Sequence, residues 1–246
     1  MKKILALLLL GLLCFVVING LFDSNLNLKS MDIDDRDSAA YVTKSVNGDM
    51  GEVVFGTSKN LEDGSANMVS SIVVNYRSFD TLGEVSVLFI ASLGVAFLLG
   101  SASIPMAFKY KTNFMLRVST RMVFGFLVLL GVVMMSHGHL TPGGGFPGGS
   151  LIAAAMLLLY LGDEEYRLNL KAFKIIESTM GTLYVLIGLT GLVTAGYFLT
   201  NFIDTGVVGT LFSAGLLPIV YVIIGLKVGS ELTGVLNNFA HEEVAK

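Results

Sequence analysis

The chain has 246 residues, a formal net charge of −3, 53% hydrophobic and only 14% charged residues, and a mean hydropathy of +0.74. A soluble domain carries about 25% charged residues, so a soluble globular fold is excluded, and the absence of any basic run excludes a nucleic-acid partner. One cysteine, Cys14, rules out an intrachain disulfide; it lies in the first apolar run and reads as a buried, inert thiol.

Apolar windows of about 18 residues or more read as membrane spans. They fall at about 4–22, 82–104, 114–136, 146–162, 175–199 and 207–229. The expected fold is therefore an all-α integral membrane protein of about six transmembrane helices. The first run follows Met1-Lys2-Lys3 and lacks an A-x-A-like cleavage site, so it reads as a retained anchor. Lys2, Lys3, Lys109, Lys111, Arg117, Arg167, Lys171, Lys174 and Lys227 all flank one set of span ends. The positive-inside rule makes that side the cytoplasm, with both termini inside.

The segment Asp23–Thr81, between the first two spans, holds ten acidic and five basic residues and faces outward. It is too poor in apolar residues for a large core, so a small, partly irregular cap is expected. Its stretch Met68-Val69-Ser70-Ser71-Ile72-Val73-Val74 fits either a strand or a lead-in to the second span. A short turn, Asn201–Gly206, completes the outer face.

After span 3 the chain reads Ser-His-Gly-His-Leu-Thr-Pro-Gly-Gly-Gly-Phe-Pro-Gly-Gly from Ser136 to Gly149. Gly143, Gly145 and Gly148 match G-x-G-x-x-G, but a dinucleotide loop needs a strand before it and a helix N-terminus after it. Here a membrane span feeds a loop that opens away from the cytoplasm. The following span, 146–162, is roughly 24 Å long as helix, against about 30 Å of hydrocarbon. Either that helix is short, or Pro142, Gly143, Gly144, Gly145, Gly148 and Gly149 dip below the surface to meet it. Irregular backbone at that depth must be buried in protein or line a cavity. Two readings follow: a loop built for close helix packing, or one lining an ion or water entrance. His137 and His139 are too few for a zinc site, since the only other histidine is His241 and Cys14 is in another span. They are expected to hydrogen-bond the loop or relay protons at its rim.

Ionisable residues within spans are functional candidates. Glu84 starts span 2 at the outer side; it also suits a headgroup-level carboxylate near a helix N-terminus. Glu177 and Lys227 fall at the inner ends of spans 5 and 6, at matching depth, where a salt bridge or a snorkelling lysine is expected. Gly225 and Gly229 form a small-xxx-small pair beside Lys227. One chain holds too few mid-membrane polar groups for a whole ion path, so partner subunits must complete it.

The His-Gly-His and Pro-Gly-Gly-Gly-Phe-Pro-Gly-Gly stretch, with Arg121, Glu177 and Ile224-Gly225-Leu226-Lys227-Val228, resembles the MnhB/MrpB family of multisubunit cation/proton antiporters over about residues 112–236. Upstream, Asn67-Met68-Val69 and Asn75-Tyr76-Arg77-Ser78-Phe79-Asp80-Thr81-Leu82-Gly83-Glu84 resemble the C-terminal end of the antiporter protein MrpA and the small MbhE-like component of archaeal membrane-bound hydrogenases. Ser78 stands where those families usually carry glycine. The resemblance implies two fused regions, 1–111 and 112–246, meeting near Lys109–Asn113. It implies a multi-pass cell-membrane component of an antiporter module, in an Mrp-type antiporter or in a complex-I-related hydrogenase or sulfur reductase. The implied partners are other antiporter-module subunits, lipid and, in the redox complexes, iron–sulfur or hydrogenase-like subunits. Sodium or protons would be the transported ion. Glu84 carries over as the acidic residue near the outer mouth, with Asp80 of the same motif beside it. No nucleophile–base pair or cofactor ligand set is legible, so no catalysis or bound cofactor is expected from this chain alone. A scaffold role without ion contact is the competing reading.

Overall fold

The computed structural model describes residues 10–12, 14–15, 18–19, 41, 43–45, 53–59, 61–99, 112–163, 166 and 168–242. Two compact units separate, Met1–Ala39 and Ala40–Lys246. The first expected span falls largely outside the described residues; those described within it are helical, and Cys14 is exposed rather than buried.

In the second unit, five helices are long and apolar enough to cross a membrane: α1 (Ser78–Leu99), α2 (Phe114–Ser136), α3 (Gly145–Gly162), α4 (Leu170–Ala195) and α5 (Leu217–Glu242). This is the all-α, multi-pass architecture the hydropathy demands. The side-chain carbonyls of Asn113 and Asn169 cap α2 and α4 by accepting the Leu116 and Ala172 amides at 2.7 and 3.2 Å. Gly196, at φ 82°, ends α4 in the left-handed conformation that a residue without Cβ adopts most readily.

The last span corrects the sequence reading. Expected at 207–229, it begins ten residues later, at Leu217. Pro218, which lacks an N–H, fits the first turn of a helix and starts it there. The apolar residues Val207–Leu216 belong instead to the loop that follows Gly196. The helix also continues well past Gly229, because the polar residues that ended the apolar window, Ser230, Glu231, Thr233 and Asn237, are buried against protein. Lys227 therefore sits mid-helix and does not close the span.

Helix α5 is the hub. It packs against all four other helices, and 61% of its apolar window is buried, against 6% for α1. Tyr184, Val220, Tyr221, Ile224 and Val228 form its core with Val85 of α1. The outward faces of α1, α2 and α4 expose Phe97, Phe126 and Val193, surfaces suited to lipid or partner helices.

The stretch Met68–Tyr76 is a lead-in to α1: a helical turn, Met68–Ser70, that widens into a π-helix, Ser71–Tyr76. Beside it a cap joins three pieces. Residues 53–59 and 61–67 meet the loop after α4 through the Lys59–Val207 bridge, Gly56 N to Val208 O at 2.8 Å and Thr205 Oγ1 to Leu61 O at 2.7 Å. The His-Gly-His turn is the third piece: the Gly138 carbonyl accepts from Ser70 Oγ at 2.6 Å and Asn67 Nδ2 at 2.9 Å, and the His139 carbonyl accepts from Ser65 Oγ at 2.8 Å.

Candidate functional site

The glycine loop is packed, as the close-packing reading requires. An added Cβ on Gly149 would stand 2.6 Å from the Gly225 carbonyl oxygen and 2.9 Å from the Gly229 nitrogen, so α3 and α5 meet backbone to backbone at that small-residue pair. Gly144, at φ 124°, turns the chain into α3 against the Tyr221 ring.

Two polar clusters lie along α1 and α5. One, beside the glycine loop, surrounds a cavity of about 130 Å³ lined by Ser70, Thr81, Glu84, Gly143–Pro147 and Tyr221. Tyr221, 7% exposed, donates to Ser70 Oγ at 2.6 Å, and Ser70 in turn donates to the Gly138 carbonyl. Glu84 thus shares a cavity with the glycine loop, while its helix face remains exposed on the isolated chain. Asp80, a turn earlier, pairs instead with Arg77 at 2.6 Å at the exposed start of α1.

The other cluster centres on α5. Lys227 Nζ lies 2.6 Å from Glu231 Oε2, and Ser92 of α1 donates to Glu231 Oε1 at 2.7 Å. Glu231 is 2% exposed. Neither expectation for Lys227 holds: it is buried and does not snorkel, and it forms no bridge to Glu177, because the one-turn neighbour Glu231 takes the ammonium and leaves Glu177 on an adjoining cavity of about 320 Å³. Sequence reasoning missed Glu231, although an opposite charge four residues from Lys227 was a legible signal. It also missed Ser92, whose isolated hydroxyl carries no such signal. Between the clusters Val85, Leu88, Ile224 and Val228 form an apolar band.

His137 caps α2, its Nδ1 2.9 Å from Ser136 Oγ. His139 is fully buried beneath the cap; its ring faces the backbone of Thr210 and Leu211 without reaching hydrogen-bond geometry. Burial pushes its pKa below the usual 6.5, only partly opposed by that backbone. Lys44, buried on Asp63 at 3.6 Å and on Ser71, is likewise lowered by burial. A histidine with a depressed folded pKa binds fewer protons folded than unfolded. Stability is then full above about 6.5 and falls as pH drops below 6.5 toward the folded value. Thermal melts in detergent should show this acid sensitivity in the wild type and a flatter profile in His139→Asn; an unchanged profile would show that His139 does not set it.

At the opposite end of α2 and α3, Arg121 holds the buried Asp163 at 2.6 Å, joining the two helices. No group of three or more His, Cys, Asp or Glu converges as metal ligands among the described residues.

Residues 115–234 match the family model described as a domain related to the MnhB subunit of Na+/H+ antiporter, and residues 37–104 match the MbhE model, which describes one component of MBH. Over nearly its whole length the chain is similar to a chain of the membrane-bound sulfane sulfur reductase, an archaeal respiratory membrane complex. The two are 39% identical, the match covers 97% of each, and the TM-score is 0.78. The chain thus carries an MnhB-related domain preceded by an MbhE-type segment. It is 33% identical over 94 residues to the B component of the Na+/H+ antiporter of Alkalihalophilus pseudofirmus, covering 37% of this chain and 65% of that one. An uncharacterised protein of Methanocaldococcus jannaschii is 28% identical over 190 residues, covering 66% of this chain and 72% of its own length.

Proposed function

We propose that this chain is a membrane component of a cation/proton antiporter module within a respiratory complex related to complex I, lining part of a sodium or proton path. Other antiporter-module subunits complete the path, redox chemistry belongs to partner proteins, and both termini face the cytoplasm. The observation that carries the reading is the likeness along 97% of the chain to one chain of a sulfur-reducing respiratory complex. The polar clusters on α1 and α5 support it, because buried charge in a membrane helix is kept for a reason. A stand-alone antiporter is the second reading, favoured by the relative from the Alkalihalophilus antiporter.

Affinity purification of the tagged chain in mild detergent, with mass spectrometry of what accompanies it, separates the two. Iron–sulfur or hydrogenase-like subunits support the respiratory complex; antiporter subunits alone support the exchanger; a solitary chain overturns both. Glu84→Gln should abolish ion transport in proteoliposomes of the assembled complex while leaving its composition unchanged. Full transport in that variant would favour a scaffold role.

A further inference from the structure

The cap encloses buried polar atoms that its own hydrogen bonds do not satisfy. His139 is fully buried, and neither of its ring nitrogens has a hydrogen-bond partner. The ring faces the backbone of Thr210 and Leu211. The Thr210 carbonyl accepts instead from the Ser213 amide at 3.1 Å, while the Ser213 hydroxyl, also fully buried, has no partner. Residues Asp63–Ser65 pass beside both. Ser65 Oγ donates to the His139 carbonyl at 2.8 Å, and an added Cβ on Gly64 would stand 2.7 Å from the Ala214 nitrogen. Asp63 Oδ2 is buried without a hydrogen bond and lies within electrostatic reach of His139. Native folds rarely leave so many buried donors and acceptors unmet. The charges, by contrast, are matched: Lys44 Nζ stands 3.6 Å from Asp63, so no further ion is called for. A neutral imidazole has one donor and one acceptor, and a hydroxyl has both. The ligand that meets them is small, uncharged, and able to donate and accept at once. Water has these properties, and a buried water makes about three hydrogen bonds to such groups.

We propose that the cap binds a structural water among the His139 ring, the Ser213 hydroxyl and Asp63 Oδ2, and that this water ties the His-Gly-His turn to the loop after α4. The direct bonds described above form two sides of a triangle. One side runs from the turn to Ser65, Asn67 and Ser70; the other runs from Gly56 and Leu61 to the loop. The water supplies the third side. Its site is independent of the ion-path reading and stands whether or not Glu84 carries an ion.

The test uses the full chain, purified in mild detergent with whatever subunits accompany it. X-ray pulses split water into hydroxyl radicals, which oxidise the side chains beside a bound water even where bulk solvent does not reach. Rapid mixing into ¹⁸O water before the pulse then times the exchange of that water. Mass spectrometry should find oxidised His139 despite its burial, with the added oxygen remaining ¹⁶O well after that on Phe55, 63% exposed in the same cap, has become ¹⁸O. Met135, 2% exposed against the glycine loop, is the dry control; its readily oxidised thioether should stay unlabelled. An unlabelled His139 beside a labelled Phe55 would show a dry site and overturn the proposal. So would a His139 label that exchanges as fast as that on Phe55, because the ring would then be open to bulk solvent. Ser213→Ala removes one of the water's partners without adding bulk, and should speed the exchange at His139 about fivefold, as loss of one hydrogen bond implies. Wild-type exchange in that variant would overturn the assignment of Ser213 to the site. Should the variant fail to assemble, the wild-type measurement decides the proposal by itself.

Discussion

Lys227→Met alone is expected to destabilise the folded chain by about 3–5 kcal/mol, the range for removing one partner of a buried ion pair. The reason lies in what remains. Glu231, 2% exposed, keeps the Ser92 hydroxyl on one oxygen but loses the ammonium at 2.6 Å from the other. An uncompensated carboxylate in the hub helix then opposes the packing of α1 and α4 against it. Adding Glu231→Gln should restore most of the loss, because a neutral amide of the same shape still meets Ser92 and strands nothing. Thermal melts followed by size-exclusion fluorescence measure both. If the single and double variants melt alike, the pair contributes through packing alone.

The second large effect is geometric. Gly149→Val should prevent α3 from seating on α5, a loss of about 3 kcal/mol or more. Its Cβ would stand 2.6 Å from the Gly225 carbonyl oxygen, and the obstructing atoms are helix backbone that no rotamer change can move. Gly94 of α1, with nothing within 4 Å of an added Cβ, is the control. Gly94→Ala should leave stability of the chain unchanged or slightly raised, by about 1 kcal/mol at most, from helix propensity. Comparable melts for the two variants would mean that the α3–α5 approach is looser than the backbone implies.

These two sites also mark where the sequence could be read and where it could not. Hydropathy located α1 through α4 to within a few residues, because an uncharged run of that length has one cheap place to be. The glycine loop was legible as a packing device, and both carboxylates singled out in the spans line cavities. Helix α5 was displaced for one reason at each end. In its apolar prelude, Val207–Leu216, the residues Val208, Ala214 and Leu216 are buried within the fold while Leu211 and Phe212 stay exposed, and hydropathy does not distinguish such a loop from a span. At the other end the expected span stopped at 229, because a window average treats the charge of Glu231 as solvated, whereas an ion pair and a serine satisfy it inside the fold. The Lys227–Glu177 pairing was inferred from depth alone. Depth cannot rank it against a partner one turn away on the same helix.

The cap has a consequence for biosynthesis. Leu61 receives its hydrogen bond from Thr205, 144 residues later in the chain, and Asn67 and Ser70 bind a turn about 70 residues ahead. At about 5–20 residues per second, the residues around Leu61 wait roughly 7–30 s for the loop that completes them. On the topology proposed above, the segment is carried across the membrane during that interval, with Asp63 and Lys44 still hydrated. Burial of that pair is therefore among the last events of folding. A nascent chain halted before residue 201 should expose the cap to protease from the outside, and one extended past α5 should not.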